Sequence, residues 1–148
     1  VIVNNWFVCG PDSDVATWSW EIAPGWRPGG LPLRDLRDPK RLGAPDHMKD
    51  YLFTSGDSGG VHTNSNIHNK AAYKVLTAVD AGGARVFRPR DVAVLYYVTL
   101  TRLPSTATFA KVLEVLQNVA KTYYARDPAL QQEKVAAIRV AYAAVGIQ

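Results

Sequence analysis

Two adjacent glycines, Gly59 and Gly60, lie inside Gly56-Asp57-Ser58-Gly59-Gly60-Val61-His62, and no further glycine or proline occurs before Gly82. This pattern constrains the fold more than any other stretch, because it demands a tight loop that delivers a polar group straight into a helix. Glycine admits positive φ or close backbone approach, and the branched Val61 behind the pair is stiff, so His62 is held in a defined direction. Asp57 is near enough across the loop to accept a hydrogen bond from one imidazole nitrogen and leave the other facing outward. Asn64 or Ser65 is placed to cap the helix, whose apolar face is Ile67, Ala71 and Val75, with Ala72 one step off that row. The residues alone leave two readings of His62 open, an oriented donor and a satisfied core or capping histidine.

The remaining pattern is largely helical. The first helix is expected from Asn64 to about Ala81, stopped by Gly82-Gly83. Phe109, Val112, Leu113, Leu116, Val119, Ala120 and Tyr123 form a stripe of helical period. Asp127-Pro128 supplies an N-cap and a first-turn proline for a last helix bearing Leu130, Lys134, Val135, Ile138, Tyr142 and Val145, closed by Gly146. Pro89 to Leu103 is rich in valine and tyrosine and on propensity alone passes for a buried strand. Val1 to Gly30 holds all four tryptophans among prolines and glycines, and reads as extended or irregular.

Several function classes drop out. The chain has 148 residues, a net charge of +4 and a pI of about 9.3. Its Lys and Arg are interspersed with acids, which describes a mixed solvated surface and not a nucleic-acid footprint. No apolar run is long enough to span a bilayer, so no membrane partner is expected. Cys9 stands alone, so an internal disulfide and a cysteine-rich metal site are both excluded. Neither a signal-type segment nor an initiator Met opens the sequence, which reads as part of something longer.

Asp57-Ser58-Gly59-Gly60-Val61-His62-Thr63-Asn64-Ser65, followed by Asn69-Lys70-Ala71-Ala72-Tyr73, resembles the signature of the thermolysin-like zinc metallopeptidases, at the start of their mostly helical C-terminal domain. Val135-Ala136-Ala137-Ile138 with Tyr142-Ala143-Ala144-Val145-Gly146-Ile147 is similar to that family's last helix. The resemblance covers roughly residues 19–148. It implies a mainly α fold, with an irregular Trp/Pro/Gly-rich N-terminal segment followed by a bundle of four or five helices, and it turns the Pro89–Leu103 run into a helix. Residues 1–30 then read as the tail of a missing metal-binding lobe, and 31–148 as the C-terminal lobe carrying the active-site loop 56–66.

The same resemblance makes His62 the donor to the oxyanion of the tetrahedral intermediate and Asp57 its orienter. A donor aimed at charge that appears only in the transition state is where such a group gains most. It also makes Leu33 part of the apolar pocket after the scissile bond, and Arg34 the donor to the substrate carbonyl there, a task that suits a rigid guanidinium fork. From the residues alone, Arg34 and Arg37 could equally be exposed partners of Asp35 and Asp38. Gly43-Ala44-Pro45-Asp46-His47 reads as a structural turn. His68 replaces an apolar residue of the family, and its six-residue spacing from His62 does not put both rings on one helical face.

Zinc is expected in the full-length enzyme but not on this chain. None of His47, His62 and His68 belongs to a His-Glu-x-x-His pair of ligands, so no metal ligand is assigned here. The resemblance also implies a double calcium site with an acidic, Trp-containing stretch. Two registers compete for it, Asn5-Trp6-Phe7-Val8 and Ser19-Trp20-Glu21-Ile22, with Asp12 and Asp14 nearby. Neither supplies the charged oxygens calcium takes, so the site is expected to be depleted. The expected partners are an N-terminal zinc-binding lobe and a peptide or protein substrate, and the expected location is extracellular. The alternative is a non-catalytic helical binding or structural module derived from the same lobe.

Overall fold

The structure, a computed structural model, describes residues 1–10 and 13–148, without the side chains of Val3, Trp6 and Phe7. It divides into two compact units, Val1–Tyr73 and Lys74–Gln148. The architecture is mainly α, as the resemblance implies, and it adds one small two-stranded sheet to the expected helices.

The first unit opens with a departure from expectation. Ile2–Cys9 is a helix, α1, although its β-branched and aromatic residues favour extended chain. Such residues cost a helix only a few tenths of a kcal/mol each, and tertiary contacts outweigh that. Asn5 is buried; its amide donates to the carbonyls of Val1 at 3.0 Å and Ser19 at 2.8 Å, and its Oδ1 accepts from Ser19 N at 3.0 Å. Beyond it, β1 (Glu21–Ile22) and β2 (Arg34–Asp35) form an antiparallel pair in which Glu21 faces Asp35 and Ile22 faces Arg34. Trp18 and Trp20 are buried, and Trp20 meets the Tyr73 ring edge-on at 4.7 Å.

A 3-10 turn over Pro39–Leu42 follows, then one over Met48–Asp50, capped by His47 Nδ1, which accepts from Lys49 N at 3.0 Å. Asp46 and Asp50 both reach Lys40, so the Pro-Asp-His segment is a structural turn. Helix α2, Asp57–Leu76, starts in this unit and ends with Lys74–Leu76 of the second. Its expected apolar face is present, with Ile67, Ala71 and Val75 fully buried. It stops at Leu76, five residues short of Ala81, because Val79 and Arg85 form a β-bridge around a turn in which Asp80 Oδ1 accepts from Gly82 N and Ala84 N.

The second unit contains α3 (Pro89–Arg102), α4 (Phe109–Tyr123) and α5 (Pro128–Ala143), with α4 packed on both neighbours. Pro89 opens α3, a position where its missing N–H costs nothing, and burial of Val92 and Leu95 overrides the strand propensity of the run. Asp127 caps α5 by accepting from Leu130 N at 3.0 Å, as expected. The α4 stripe is buried at Leu113, Leu116, Val119 and Ala120, whereas Tyr123 lies at its edge with its hydroxyl on Asp91 Oδ1 at 3.1 Å. Lys134 is buried in α5, with Nζ donating to the Val86 carbonyl and lying 5.5 Å from the centre of the Phe87 ring. Among the described residues, no helix is long and apolar enough to cross a membrane.

His68 introduces a pH dependence. Burial in α2 penalises its charged form and lowers its pKa from 6.5 to about 4. A histidine depressed in the folded state contributes stability that is complete above about pH 6.5 and is lost as pH falls towards about 4. His68→Gln should therefore flatten the decline of unfolding free energy between pH 7 and 4.5, measured by urea denaturation of the full chain. Equal slopes for variant and wild type would contradict this.

Candidate functional site

Four consecutive residues, Asp57, Ser58, Gly59 and Gly60, take positive φ of 52°, 48°, 82° and 73° before the right-handed helix begins at Val61. This left-handed turn is closed by Gly59 N and Gly60 N, which donate to the Gly56 carbonyl at 3.0 and 2.9 Å. Glycine adopts such angles freely, but Asp57 and Ser58 do so at roughly 1–2 kcal/mol each. The Asp57 carboxylate offsets that cost directly. Its Oδ2 accepts from the backbone N–H of His62 at 2.9 Å and its Oδ1 is paired with His62 Nδ1. One carboxylate thus fixes both the backbone and the ring of the same histidine.

The His62 side chain is 79% exposed, so with Nδ1 held by Asp57 the opposite ring nitrogen, Nε2, faces outward. The hydrogen bond from the His62 ring is the main reason the Asp57 carboxyl lies below its ordinary range; the His62 N–H and the charge of Arg34 act in the same direction, against a smaller opposing effect of burial. Arg34 reaches the same helix. Its Nη1 donates to Ser65 Oγ at 2.7 Å, and Ser65 Oγ donates to the His62 carbonyl at 3.2 Å. Leu33, immediately before β2, is 37% exposed, and its N–H is held by the Ile22 and Ala23 carbonyls at 3.0 and 3.2 Å. The structure therefore brings Asp57, His62 and Arg34 together and leaves Leu33 as an accessible apolar side chain beside Arg34. Val61 is exposed too, as is Phe53, which is 90% accessible.

Asn64 and Ser65 do not cap the helix as expected, because the chain is already helical at Val61. Asn64 is buried and clamps the preceding loop: its amide donates to the carbonyls of Leu52 at 2.9 Å and Gly59 at 3.2 Å, and its Oδ1 accepts from Leu52 N at 2.9 Å. Gly60 is required by this clamp, since a Cβ there would lie 2.9 Å from Asn64 Nδ2 and 3.1 Å from Thr54 Cγ2. Sequence reasoning found the glycine but not its partner, because Leu52 and Thr54 are brought alongside only by the fold.

Among the described residues no three His, Cys, Asp or Glu side chains converge as a metal site. The two competing calcium registers meet in space, because the Asn5 side chain is bonded to both the N–H and the carbonyl of Ser19. Asp12 lies outside the described residues, and Asp14 caps a 3-10 turn by accepting from Ala16 N at 2.9 Å.

Residues 5–147 match the family model of the thermolysin metallopeptidase alpha-helical domain. The chain is 36% identical over 103 residues to an extracellular elastase of Staphylococcus epidermidis, covering 70% of this chain and 19% of that protein. It is 33% identical over 136 residues to a bacillolysin of Bacillus amyloliquefaciens, covering 88% of this chain and 23% of that one. The precursor of protealysin, a metalloproteinase from Serratia proteamaculans, superposes with a TM-score of 0.73 at 27% identity, over 99% of this chain and 46% of that structure. The chain spans about a fifth of the length of these curated relatives.

The left-handed turn yields a direct test. Gly60→Ala combines a φ of +73° with a 2.9 Å clash against Asn64, so it should cost about 2 kcal/mol or more of unfolding free energy. Gly29→Ala, which meets no atom within 4 Å, should cost less. Denaturant unfolding of both variants would show the order.

Proposed function

The chain belongs to the family of the thermolysin metallopeptidase α-helical domain, and from that premise we propose that it is the C-terminal lobe of a secreted zinc endopeptidase. It contributes the transition-state donor and a substrate-binding arginine to a cleft shared with an N-terminal lobe. The observation that carries this reading is the double grip of Asp57 on His62, on the backbone N–H at 2.9 Å and on Nδ1, which leaves an exposed ring in a fixed orientation. A merely structural histidine has no use for an outward-facing, pre-oriented nitrogen.

When water adds to the scissile carbonyl of a peptide, negative charge collects on the carbonyl oxygen. A fixed N–H aimed at that oxygen stabilises the transition state without reorganising. With Nδ1–H donated to Asp57, Nε2 carries a proton only in the imidazolium form, so the acting donor is the cationic ring, with its charge facing the Asp57 carboxylate. Arg34, tethered to Ser65 at 2.7 Å, retains further guanidinium N–H groups for a substrate carbonyl. Leu33, beside it in the chain, offers apolar surface to the side chain that follows the scissile bond.

Zinc does not fit on this chain. Its histidines lack the His-Glu-x-x-His arrangement, and no three potential ligands converge among the described residues. The metal, its ligands and the general base are therefore assigned to the other lobe. The exposed apolar residues Leu33, Phe53 and Val61 fit a surface that meets that lobe and the substrate. Residues 1–30 are read as the segment leading in from it, and 31–148 as the lobe proper. Extracellular action agrees with the name of the staphylococcal relative.

Two results test the reading. In the full-length protein, His62→Ala should lower kcat by about 10²–10³-fold with little change in KM, as for loss of one oxyanion donor, whereas Arg34→Ala should raise KM as well. A His62→Ala enzyme with unchanged kcat removes the oxyanion role. Residues 1–148 expressed alone should hydrolyse no peptide with zinc added, and turnover by that polypeptide would overturn the two-lobe assignment.

A further inference from the structure

The hairpin of β1 and β2 sets two carboxylates directly opposite each other, Glu21 against Asp35. Like charges in register across an antiparallel pair repel, and the Asp35 side chain is only 3% exposed, so its charge must be met inside the protein. The resemblance places a calcium site in this neighbourhood, yet the donor set does not fit one. Asp35 Oδ1 already accepts from the N–H groups of Arg37 at 2.8 Å and Asp38 at 3.0 Å. Arg41 takes the rest, with Nε on Asp35 Oδ2 at 2.5 Å and Nη2 on Glu21 Oε1 at 2.5 Å. Next to it the Asn5 amide occupies the Ser19 carbonyl, an oxygen that a cation would otherwise take. Calcium needs six to eight oxygen ligands, and here N–H donors hold most of those on offer.

We propose that Arg41 is the resident cation of this hairpin, so that the region is locked by the chain's own guanidinium and by the Asn5 amide without a divalent ion. The planar fork of arginine suits the task, since one group reaches two carboxylates at once. The 3-10 turn Pro39–Leu42, with Gly43 in the left-handed conformation at its end, presents Arg41 to both strands. Burial alone would raise the Asp35 pKa, but the amides of Asp38 and Arg37 and the Arg41 guanidinium hold it below the ordinary value. The lock therefore persists through neutral pH and is lost only as pH falls through that lowered pKa.

Local amide exchange in the full-length protein, read by mass spectrometry in EGTA and in millimolar calcium chloride, tests the proposal apart from any calcium bound elsewhere. Peptides covering 19–22 and 33–38 should exchange at the same rate in both buffers. Arg41→Gln should speed their exchange by about tenfold or more, and adding Glu21→Gln should restore part of the protection by removing the opposed charge. Slowing of wild-type exchange in these peptides by calcium would overturn the proposal, as would an Arg41→Gln protein that exchanges like wild type. If Arg41→Gln does not accumulate folded, the Glu21→Gln/Arg41→Gln pair decides: recovery of folded protein supports the proposal and continued failure overturns it.

Discussion

The Asp57 carboxylate holds in place a backbone that an L-residue chain otherwise avoids. Four residues in the left-handed region, two of them not glycine, would relax without a strong local partner, and His62 would then swing with the loop. By accepting from both the N–H and the ring of His62, Asp57 ties the strain to the orientation of one side chain. Strain of this kind survives only where the surroundings over-determine it. Here the buried Asn64 amide, clamped on Leu52 and Gly59, supplies the second restraint.

The helix start also organises its neighbours. Ser65, one turn past His62, is where Arg34 arrives from β2, and Lys70 further along donates to the Arg37 carbonyl. The hairpin and the residues just after it are thereby pinned to α2 by two contacts that span 31 and 33 residues of sequence. Its own charges are handled within the same unit by Arg41. Polar side chains rather than a wide apolar contact thus set the geometry around His62, and this fits a unit that leaves Leu33, Phe53 and Val61 accessible.

The second unit is built differently. Its helices are held by an apolar interior of Leu95, Leu116, Ile138 and Val145, all fully buried; buried Asp91 is met by Arg88 and Tyr123, whereas the buried hydroxyls of Thr99 and Tyr124 have no hydrogen-bond partner among the described residues. Every residue proposed for chemistry lies in the first unit.

The sequence by itself determined the glycines that admit a left-handed loop, the apolar face of α2 and the start of α5, since each rests on short-range rules: glycine for positive φ, a helical period, an aspartate cap before a first-turn proline; its residues alone left the role of His62 and the helical form of α3 open. It also carried the family signature. Tertiary structure alone decided whatever depends on residues far apart in the chain. Asn5 ties α1 to the segment before β1 because Ser19 offers it two backbone partners; Asn64 is a clamp and not a cap because Leu52 lies within reach; Arg41 bridges Glu21 and Asp35 because a hairpin puts them face to face. Local propensities are worth tenths of a kcal/mol per residue, whereas a buried amide or carboxylate left unpaired costs several times that. Where the two conflict, the long-range polar contact sets the outcome.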